Sequence, residues 1–210
     1  MLTVTRTANA GVLLELDGVR ILLDGVCRQV VPYPVTPEHL KNALRENWPD
    51  VMAVTHHHPD HYDPVFTAEY EKATDKKAVD PTFVGSAVQW GNVRILPVES
   101  RHIGKFDCRH SSFVIQGSHC VWFMGDASPS QWKNRTDLPK PDVLIAPFAY
   151  ATTEASWKNT CALGAKAIVL VHMPEREQDT AGIWTAVAQT IGSGEGVFIP
   201  KMEEFIKIDV

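Results

Sequence analysis

The stretch VMAVTHHHPDHYD, residues 51–63, joins a short apolar run to four of the nine histidines in the chain. The run at 51–55 is apolar and bounded by polar residues, which predicts a short buried strand. Side chains two positions apart on an extended chain point to the same side, so His56 and His58 converge while His57 faces away. The segment therefore predicts two imidazoles directed at one point beyond the end of a strand.

The residues that follow add ligands for a second position beside the first. Pro59 disfavours helix at His58 and turns the chain, so that Asp60 and His61 reach an adjacent point. Imidazole combined with carboxylate suits zinc, with iron, manganese and cobalt as alternatives. A histidine run is also typical of a solvated loop or a tag. This one is internal, interrupted by Pro-Asp and placed directly after an apolar strand, which favours a metal site.

Strands and helices interleave on both sides of this segment. GVLLEL and VRILLDG are separated by Asp17-Gly18, which predicts a hairpin, and Thr36-Pro37 predicts the N-cap and first residue of a helix over 37–47. Further helices are predicted over 64–74, 154–163 and 180–191. The remaining predicted strands are the apolar runs TFVG, VRILPV, SSFVIQG, HCVWFMGD, DVLIAP and AIVLVH, followed by closing strands after the last helix. Two sheets covered by helices on their outer faces would bury every apolar face.

Composition predicts one globular domain spanning residues 1–210. The chain is 44% hydrophobic and 21% charged, with a formal net charge of -5 and no cluster of basic residues, which argues against a nucleic-acid partner. No apolar run approaches the roughly 20 residues of a membrane helix, and the start does not resemble a signal peptide. The cysteines form no C-x-x-C pair, so we expect reduced thiols in a cytoplasmic protein, with disulfides in an exported one as the alternative. They are Cys27, Cys108, Cys120 and Cys161.

The pattern His56-x-His58-x-Asp60-His61 after a short apolar strand resembles the metal motif of the metallo-β-lactamase superfamily. The opening ANAGVLLELDGVRILLDG, residues 8–25, is similar to the first hairpin of that family, and the resemblance covers most of the chain. It implies an α/β fold, a four-layer αβ/βα sandwich of two mixed sheets flanked by helices. The family's site lies at one edge of the two sheets.

Three further ligands follow from the resemblance. Gly125-Asp126 in VWFMGDAS resembles the family's Gly-Asp motif, whose carboxylate bridges two metals, and His172 in AIVLVHMP resembles the last ligand. His102 and His110 both qualify for the middle histidine. The longer separation from Asp126 favours His102, which leaves His110 as a neighbouring, substrate-facing or simply polar loop residue.

The resemblance thus implies a binuclear site for two divalent ions, zinc with manganese or iron as alternatives. Asp24 is expected to support a ligating histidine from behind, whereas His39 and His119 have no place in the pattern and are expected at the surface. Four aromatic residues are candidates for a substrate cleft, although such residues more often belong to a core. They are Trp122, Trp132, Trp157 and Phe148. The implied ligands are His56, His58, Asp60, His61, His102, Asp126 and His172.

The implied activity is hydrolysis of a small-molecule ester, lactone or phosphodiester. A metal can lower the pKa of bound water from 15.7 to about 7, and Asp60 would bind metal and orient the water or carry its proton. The compact chain resembles most the branch of metal-dependent hydrolases that includes ascorbate-6-phosphate lactonase-like proteins. Two alternatives are a redox or oxygen-handling diiron protein and a non-catalytic metal-binding member. His58 stands where flavodiiron oxidoreductases carry Glu, which argues against the diiron alternative.

Overall fold

A computed structural model of the chain describes residues 2–104, 108–132 and 135–210. Within these ranges two sheets and four α-helices form. The helices are α1 (Glu38–Glu46), α2 (Pro64–Thr74), α3 (Glu154–Cys161) and α4 (Ile183–Ile191). The strands are β1 (Leu2–Arg6), β2 (Val12–Leu16), β3 (Val19–Leu23), β4 (Val51–Ala53), β5 (Val88–Trp90), β6 (Val93–Glu99), β7 (Ser111–Gln116), β8 (Cys120–Phe123), β9 (Val143–Pro147), β10 (Ala167–Val171), β11 (Val197–Phe198) and β12 (Phe205–Ile208).

Both sheets are mixed. The first has the order β12-β1-β2-β3-β4, antiparallel except for the parallel pair β3–β4. The second has the order β11-β10-β9-β8-β7-β6-β5, parallel from β8 to β11 and antiparallel from β5 to β8. Because the carboxyl ends of parallel strands meet at one edge, residues that follow β3, β4, β8 and β10 are brought together.

Three apolar clusters define the layers. The largest lies between the two sheets and takes residues such as Leu14 and Phe113 from their inner faces. A second joins the outer face of the first sheet to α1 and α2, through Leu44 and Phe66. A third joins the outer face of the second sheet to the helices that cover it, and Val187 of α4 belongs to this cluster. This arrangement confirms the four-layer α/β sandwich.

Turn chemistry explains one success and one error of the sequence-based prediction. Asp17 and Gly18 have φ of 53° and 81°, as a two-residue hairpin turn requires, and they join β2 to β3. Thr36 does not cap α1. Its hydroxyl instead accepts a hydrogen bond from the backbone N–H of Cys27 at 3.2 Å, and Pro37 takes the N-cap position without a side-chain cap.

Several element boundaries also differ from expectation. The run TFVG is not a strand, because Asp80 accepts from the backbone N–H of Thr82 and starts a turn of 3-10 helix at Pro81–Phe83. Strand β5 was not predicted, α4 begins at Ile183 rather than at 180, and β4 ends at Ala53 rather than at 55. Each helix of the described ranges is too short, or too polar, to cross a membrane.

Candidate metal centre

Three histidines form the first group of the site. The Nε2 atom of His56 lies 2.9 Å from Nδ1 of His58, and a ring nitrogen of His102 completes a set whose members lie within 4.8 Å of one another. Thr55 donates its hydroxyl hydrogen to Asp24, so that the same oxygen accepts from Nδ1 of His56 at 3.0 Å. The Nε2 lone pair of His56 therefore faces His58, where a cation would need it.

The second group consists of Asp60, His61 and His172, again with ligand atoms within 4.8 Å of one another. Nε2 of His172 lies 3.1 Å from Oδ2 of Asp60, and Nε2 of His61 lies 3.8 Å from the same oxygen. His172 directly follows β10 and takes a left-handed backbone conformation, with φ of 63°. That conformation is uncommon for a residue with a Cβ, and it turns the side chain out of the strand line into the site.

Asp126 lies between the two groups. Its Oδ1 is 3.4 Å from Nε2 of His61, and its Oδ2 is 3.5 Å from Nε2 of His102 and 3.7 Å from Nε2 of His172. One carboxylate thus contacts a member of the first group and two members of the second. Asp126 therefore stands beside both groups and is a candidate ligand for a cation held by either.

The cluster is chemically incomplete without a cation. Within the described ranges, Nε2 of His61 and Oδ1 of Asp126 are buried and make no hydrogen bond, which is costly for polar atoms. Burial favours a low pKa for His61, yet Asp126 and Asp24 raise that pKa well above its ordinary value. Burial favours a high pKa for Asp126, yet His172 and His61 hold it well below. A divalent cation would replace the His61 proton and satisfy both orphaned atoms, so the residues fit a metal.

Asp24, at the end of β3, supports the site from behind. It is 1% exposed and accepts three hydrogen bonds: from Nδ1 of His61 at 2.8 Å, from the backbone N–H of Thr55 at 2.7 Å and from the Thr55 hydroxyl at 2.6 Å. The bond to Nδ1 fixes the ring so that Nε2 of His61 is directed into the cluster. Such carboxylate–histidine pairs orient metal ligands and raise their basicity.

The two middle histidines have different surroundings. His110 accepts a hydrogen bond at Nε2 from the backbone N–H of Asp126 at 3.0 Å, which leaves its Nδ1–H to donate to the hydroxyl of Ser100 at 2.7 Å. Burial lowers the pKa of His110 to about 3, so its ring is neutral. His102 instead donates Nδ1–H to the carbonyl of Ile103 at 2.5 Å and directs Nε2 at Asp126. The geometry favours His102 as the ligand and gives His110 a role in holding Asp126.

The remaining histidines and aromatic candidates lie outside the cluster or at its margin. His57 is half-exposed beside Asp80, with 3.4 Å between Nε2 and Oδ2, as strand alternation predicts. His39 pairs at the surface with Glu203, and His119 lies in the turn between β7 and β8. Trp122 and Trp132 are buried in the apolar cluster on the outer face of the second sheet. Trp157 is partly buried and packs against the same cluster. Of the four aromatic candidates, Phe148 approaches the site, with its ring centroid 5.7 Å from that of His172.

Sequence reasoning missed three residues of the site. Asn9 donates from Nδ2 to Oδ2 of Asp60 at 3.3 Å, and the ring of Tyr33 meets the ring of His172 edge-on at 4.5 Å. Burial, and after it Asp60, raises the pKa of the Tyr33 hydroxyl, which therefore stays protonated at neutral pH. Ser100 completes the set through its bond to His110. None of the three stands at a recognisable spacing from the candidate ligands in the sequence. Their contacts with the site are therefore visible only in the folded structure.

Two cavities of about 460 and 330 Å³ lie beside the His58 edge of the site. They share Pro81, Cys108 and Arg109 in their walls, and the smaller one includes His58 itself. Arg109 is exposed, and no ion pair or hydrogen bond of its side chain is found within the described ranges. The opening next to the cluster is therefore large enough for a small molecule, and its walls combine the Arg109 guanidinium with the carboxylates of Glu99 and Asp80.

Comparison with known proteins places this geometry in context. The model of the family described as Beta-lactamase superfamily domain matches residues 3–171. No curated protein sequence matches the chain.

Three solved structures share the fold at low sequence identity. A metallo hydrolase from the archaeon Ignicoccus hospitalis aligns with TM-score 0.68 and 15% identity, over 100% of this chain and 99% of the other. An isothiocyanate hydrolase from Delia radicum gut bacteria aligns with TM-score 0.66 and 14% identity, over 98% and 99%. The diiron β-hydroxylase CmlA from Streptomyces venezuelae aligns with TM-score 0.65 and 13% identity, over 99% of this chain and 54% of that one. One fold thus serves different reactions, so the substrate depends on the side chains of the site and not on the fold.

Proposed function

The chain belongs to the β-lactamase superfamily, and from that premise we propose that it is a binuclear metal-dependent hydrolase of a small ester, lactone or phosphodiester. The observation that carries the proposal is the position of Asp126, whose carboxylate lies 3.5 Å from His102 of one group and 3.4 and 3.7 Å from His61 and His172 of the other. We propose residues 1–210 as one domain, since a single core joins both sheets. We also propose a cytoplasmic location, because Cys27, Cys120 and Cys161 are free thiols in the part of the chain that the structure describes.

In this proposal His56, His58 and His102 hold one cation, and Asp60, His61 and His172 hold the other. Asp126, which lies beside both groups, would contribute its carboxylate. Two bound cations would activate a water and polarise the electrophilic oxygen of the substrate. Zinc suits this mixture of imidazole and carboxylate, with manganese and iron as alternatives. The narrower assignment to the ascorbate-6-phosphate lactonase-like branch stays a prediction.

Asp60 has the best position to handle a proton. It is partly exposed, with 16% of its side chain accessible, whereas His61 beside it has none. Burial favours a higher pKa for Asp60, but the hydrogen bond from His172 and the nearby His61 hold that pKa below its ordinary value. The carboxylate is therefore ionised at neutral pH. It can accept a proton from a water in the site and pass it to a leaving group.

The Arg109 guanidinium in the cavity walls offers a local partner for an anionic group of the substrate. Arg109 is the cation shared by the walls of both cavities beside His58. A carboxylate or phosphate on the substrate would lie near this guanidinium while the scissile group faces the metal cluster. The aromatic rings of Tyr33 and Phe148 contact the ring of His172 and offer an apolar surface beside that histidine.

The first experiment is metal analysis of the protein purified without added metal, by elemental mass spectrometry. We expect about two zinc ions per chain, and fewer in both His58→Ala and Asp126→Ala. His57→Ala is the matched control, because His57 adjoins the same ligands but faces Asp80 outside the cluster. Bound iron with visible absorption would favour the redox alternative. A folded chain that takes up no metal when zinc is supplied would overturn the proposal.

A further inference from the structure

Asn9 connects the first hairpin to the metal cluster. It lies in the turn between β1 and β2, is fully buried, and donates from Nδ2 to Oδ2 of Asp60 at 3.3 Å. The same Asp60 oxygen lies 3.1 Å from Nε2 of His172. A carboxylate rotates readily about its last torsion, and the bond from Asn9 selects the orientation in which Oδ2 meets His172.

The backbone of Asn9 is tied to the same histidine. Its carbonyl accepts a hydrogen bond from the backbone N–H of His172 at 2.9 Å and another from Nη2 of Arg6 at 3.2 Å. The Arg6 guanidinium also donates to the carbonyl of Met173 at 3.0 Å. The Arg6 side chain therefore holds the turn that contains Asn9 against the segment that contains His172 and Met173.

Arg6 can hold this junction because it remains charged while buried. It is 5% exposed, and it makes two further bonds, to the carbonyls of Ala8 and Pro200, each at 3.2 Å. Burial lowers the pKa of Arg6 to about 10, which still leaves the guanidinium protonated at neutral pH. Four carbonyl acceptors compensate for the water that the buried charge has lost.

We propose that Asn9 is a positioning residue for the cation held by Asp60, His61 and His172, with Arg6 fixing its backbone. This inference rests on the proposed binuclear site and adds a residue that none of the ligand motifs includes. Partners that orient metal ligands typically contribute about 10–100-fold to metal affinity. We expect Asn9 to raise the affinity of the site for one of the two cations by a factor within this range, and to leave the affinity for the other unchanged.

The test is a zinc titration against a competing chelator, with Asn9→Leu, which removes the amide donor at similar volume. We expect one zinc equivalent bound as in the wild type and the other weakened about 10–100-fold. Thr7→Val is the matched control. Thr7 lies in the same turn, is fully buried, and its hydroxyl makes no hydrogen bond in the part of the chain that is described. We expect this variant to bind both equivalents normally.

A double variant separates positioning from general damage to the turn. If Asn9 acts through Asp60, then Asn9→Leu combined with Asp60→Ala loses no more zinc affinity than Asp60→Ala alone. Should Asn9→Leu fail to fold, Asn9→Ser gives the same comparison with a shorter side chain. Wild-type affinity for both equivalents in the Asn9 variants, or full additivity in the double variant, would overturn the inference. A wild-type protein that binds no second zinc would instead overturn the proposed function.

Discussion

Asp24 accepts a hydrogen bond from Nδ1 of His61 at 2.8 Å, and neither side chain has any exposed surface. Asp24 also accepts hydrogen bonds from the backbone N–H and the hydroxyl of Thr55. All three of these partners are hydrogen-bond donors. An uncharged amide of the same shape would bring one of its own hydrogens against a donor. The carboxylate is thus required for the orientation of His61.

We therefore expect Asp24→Asn to lower zinc affinity about 10–100-fold and to destabilise the fold by about 1–3 kcal/mol. Zinc competition and chemical denaturation measure the two effects. Glu203→Gln is the control, because Glu203 pairs with His39 at the same 2.8 Å but at the surface. Equal affinity in the two variants would show that Asp24 does not support the metal ligand.

Gly125→Ala tests how closely the two sheets approach at the site. Gly125 has φ of 53°, and a Cβ at this position would lie 2.6 Å from the side chain of Thr55. Gly164 has φ of 76°, and a Cβ there would have no atom within 4 Å. Gly164→Ala therefore adds backbone strain without a steric clash. We expect Gly164→Ala to cost about 1–2 kcal/mol, and Gly125→Ala to cost more and to lose zinc. Similar unfolding free energies for both would contradict this.

The middle ligand can be identified by paired substitutions. His102→Gln should lose zinc, whereas His110→Gln should keep both equivalents while weakening the hold on the backbone N–H of Asp126. Metal analysis of the two purified variants decides between them. Loss of zinc in His110→Gln with retention in His102→Gln would reverse the assignment.

Arg109→Gln should selectively impair anionic substrates. We expect KM for a carboxylate-bearing ester to rise about two- to fivefold, with little change for the neutral analogue, and the difference should shrink at high salt. Arg101→Gln is the control, since Arg101 is an exposed arginine that does not line the two cavities. An equal effect on charged and neutral esters would exclude a charge-based role.

Asp142 predicts a specific pH dependence of stability. The backbone N–H of Cys120, and after it Lys166, lowers the pKa of Asp142 in the folded chain. A lowered folded pKa stabilises the protein above the unfolded value of about 3.9, and this contribution is lost as the pH falls through the folded pKa. We expect Asp142→Asn to cost at most about 1 kcal/mol at pH 6, because the pair of Asp142 and Lys166 is partly exposed, and this cost to shrink as the pH falls from 6 through the folded pKa of Asp142. Denaturation curves for both proteins that stay parallel across this range would contradict the prediction.

The sequence predicted those parts of the molecule that depend on local spacing. The candidate ligands His56, His58, Asp60 and His61 lie within six positions, and the strand before them fixes their direction. Asn9 could not be found in this way, because it lies 51 positions from the Asp60 that it contacts. Its contact with Asp60 exists only once β1 to β4 assemble into the first sheet, and its backbone bond to His172 only once that sheet packs against the second.

The preference for His102 over His110 rested on one separation along the chain. Both rings lie in the cluster, 5.7 Å apart between centroids, so their proximity to the site does not separate them. Their hydrogen-bond partners do, and these come from Ser100 and the backbone of Asp126. The unpredicted role of Thr36 has the same origin, since its hydroxyl bonds to a loop nine positions earlier instead of to the helix that follows.

The two halves of the cluster come from different halves of the chain. The loop after β4 of the first sheet carries His56 and Asp60, while Asp126 and His172 follow β8 and β10 of the second. Cations bound by residues from both sheets would crosslink the sheets at this edge, so the sheets could not separate there without releasing metal. Resistance to unfolding would then vary with the free metal concentration of the surroundings. A cell starved of that metal would lose the protein to proteolysis as well as its activity.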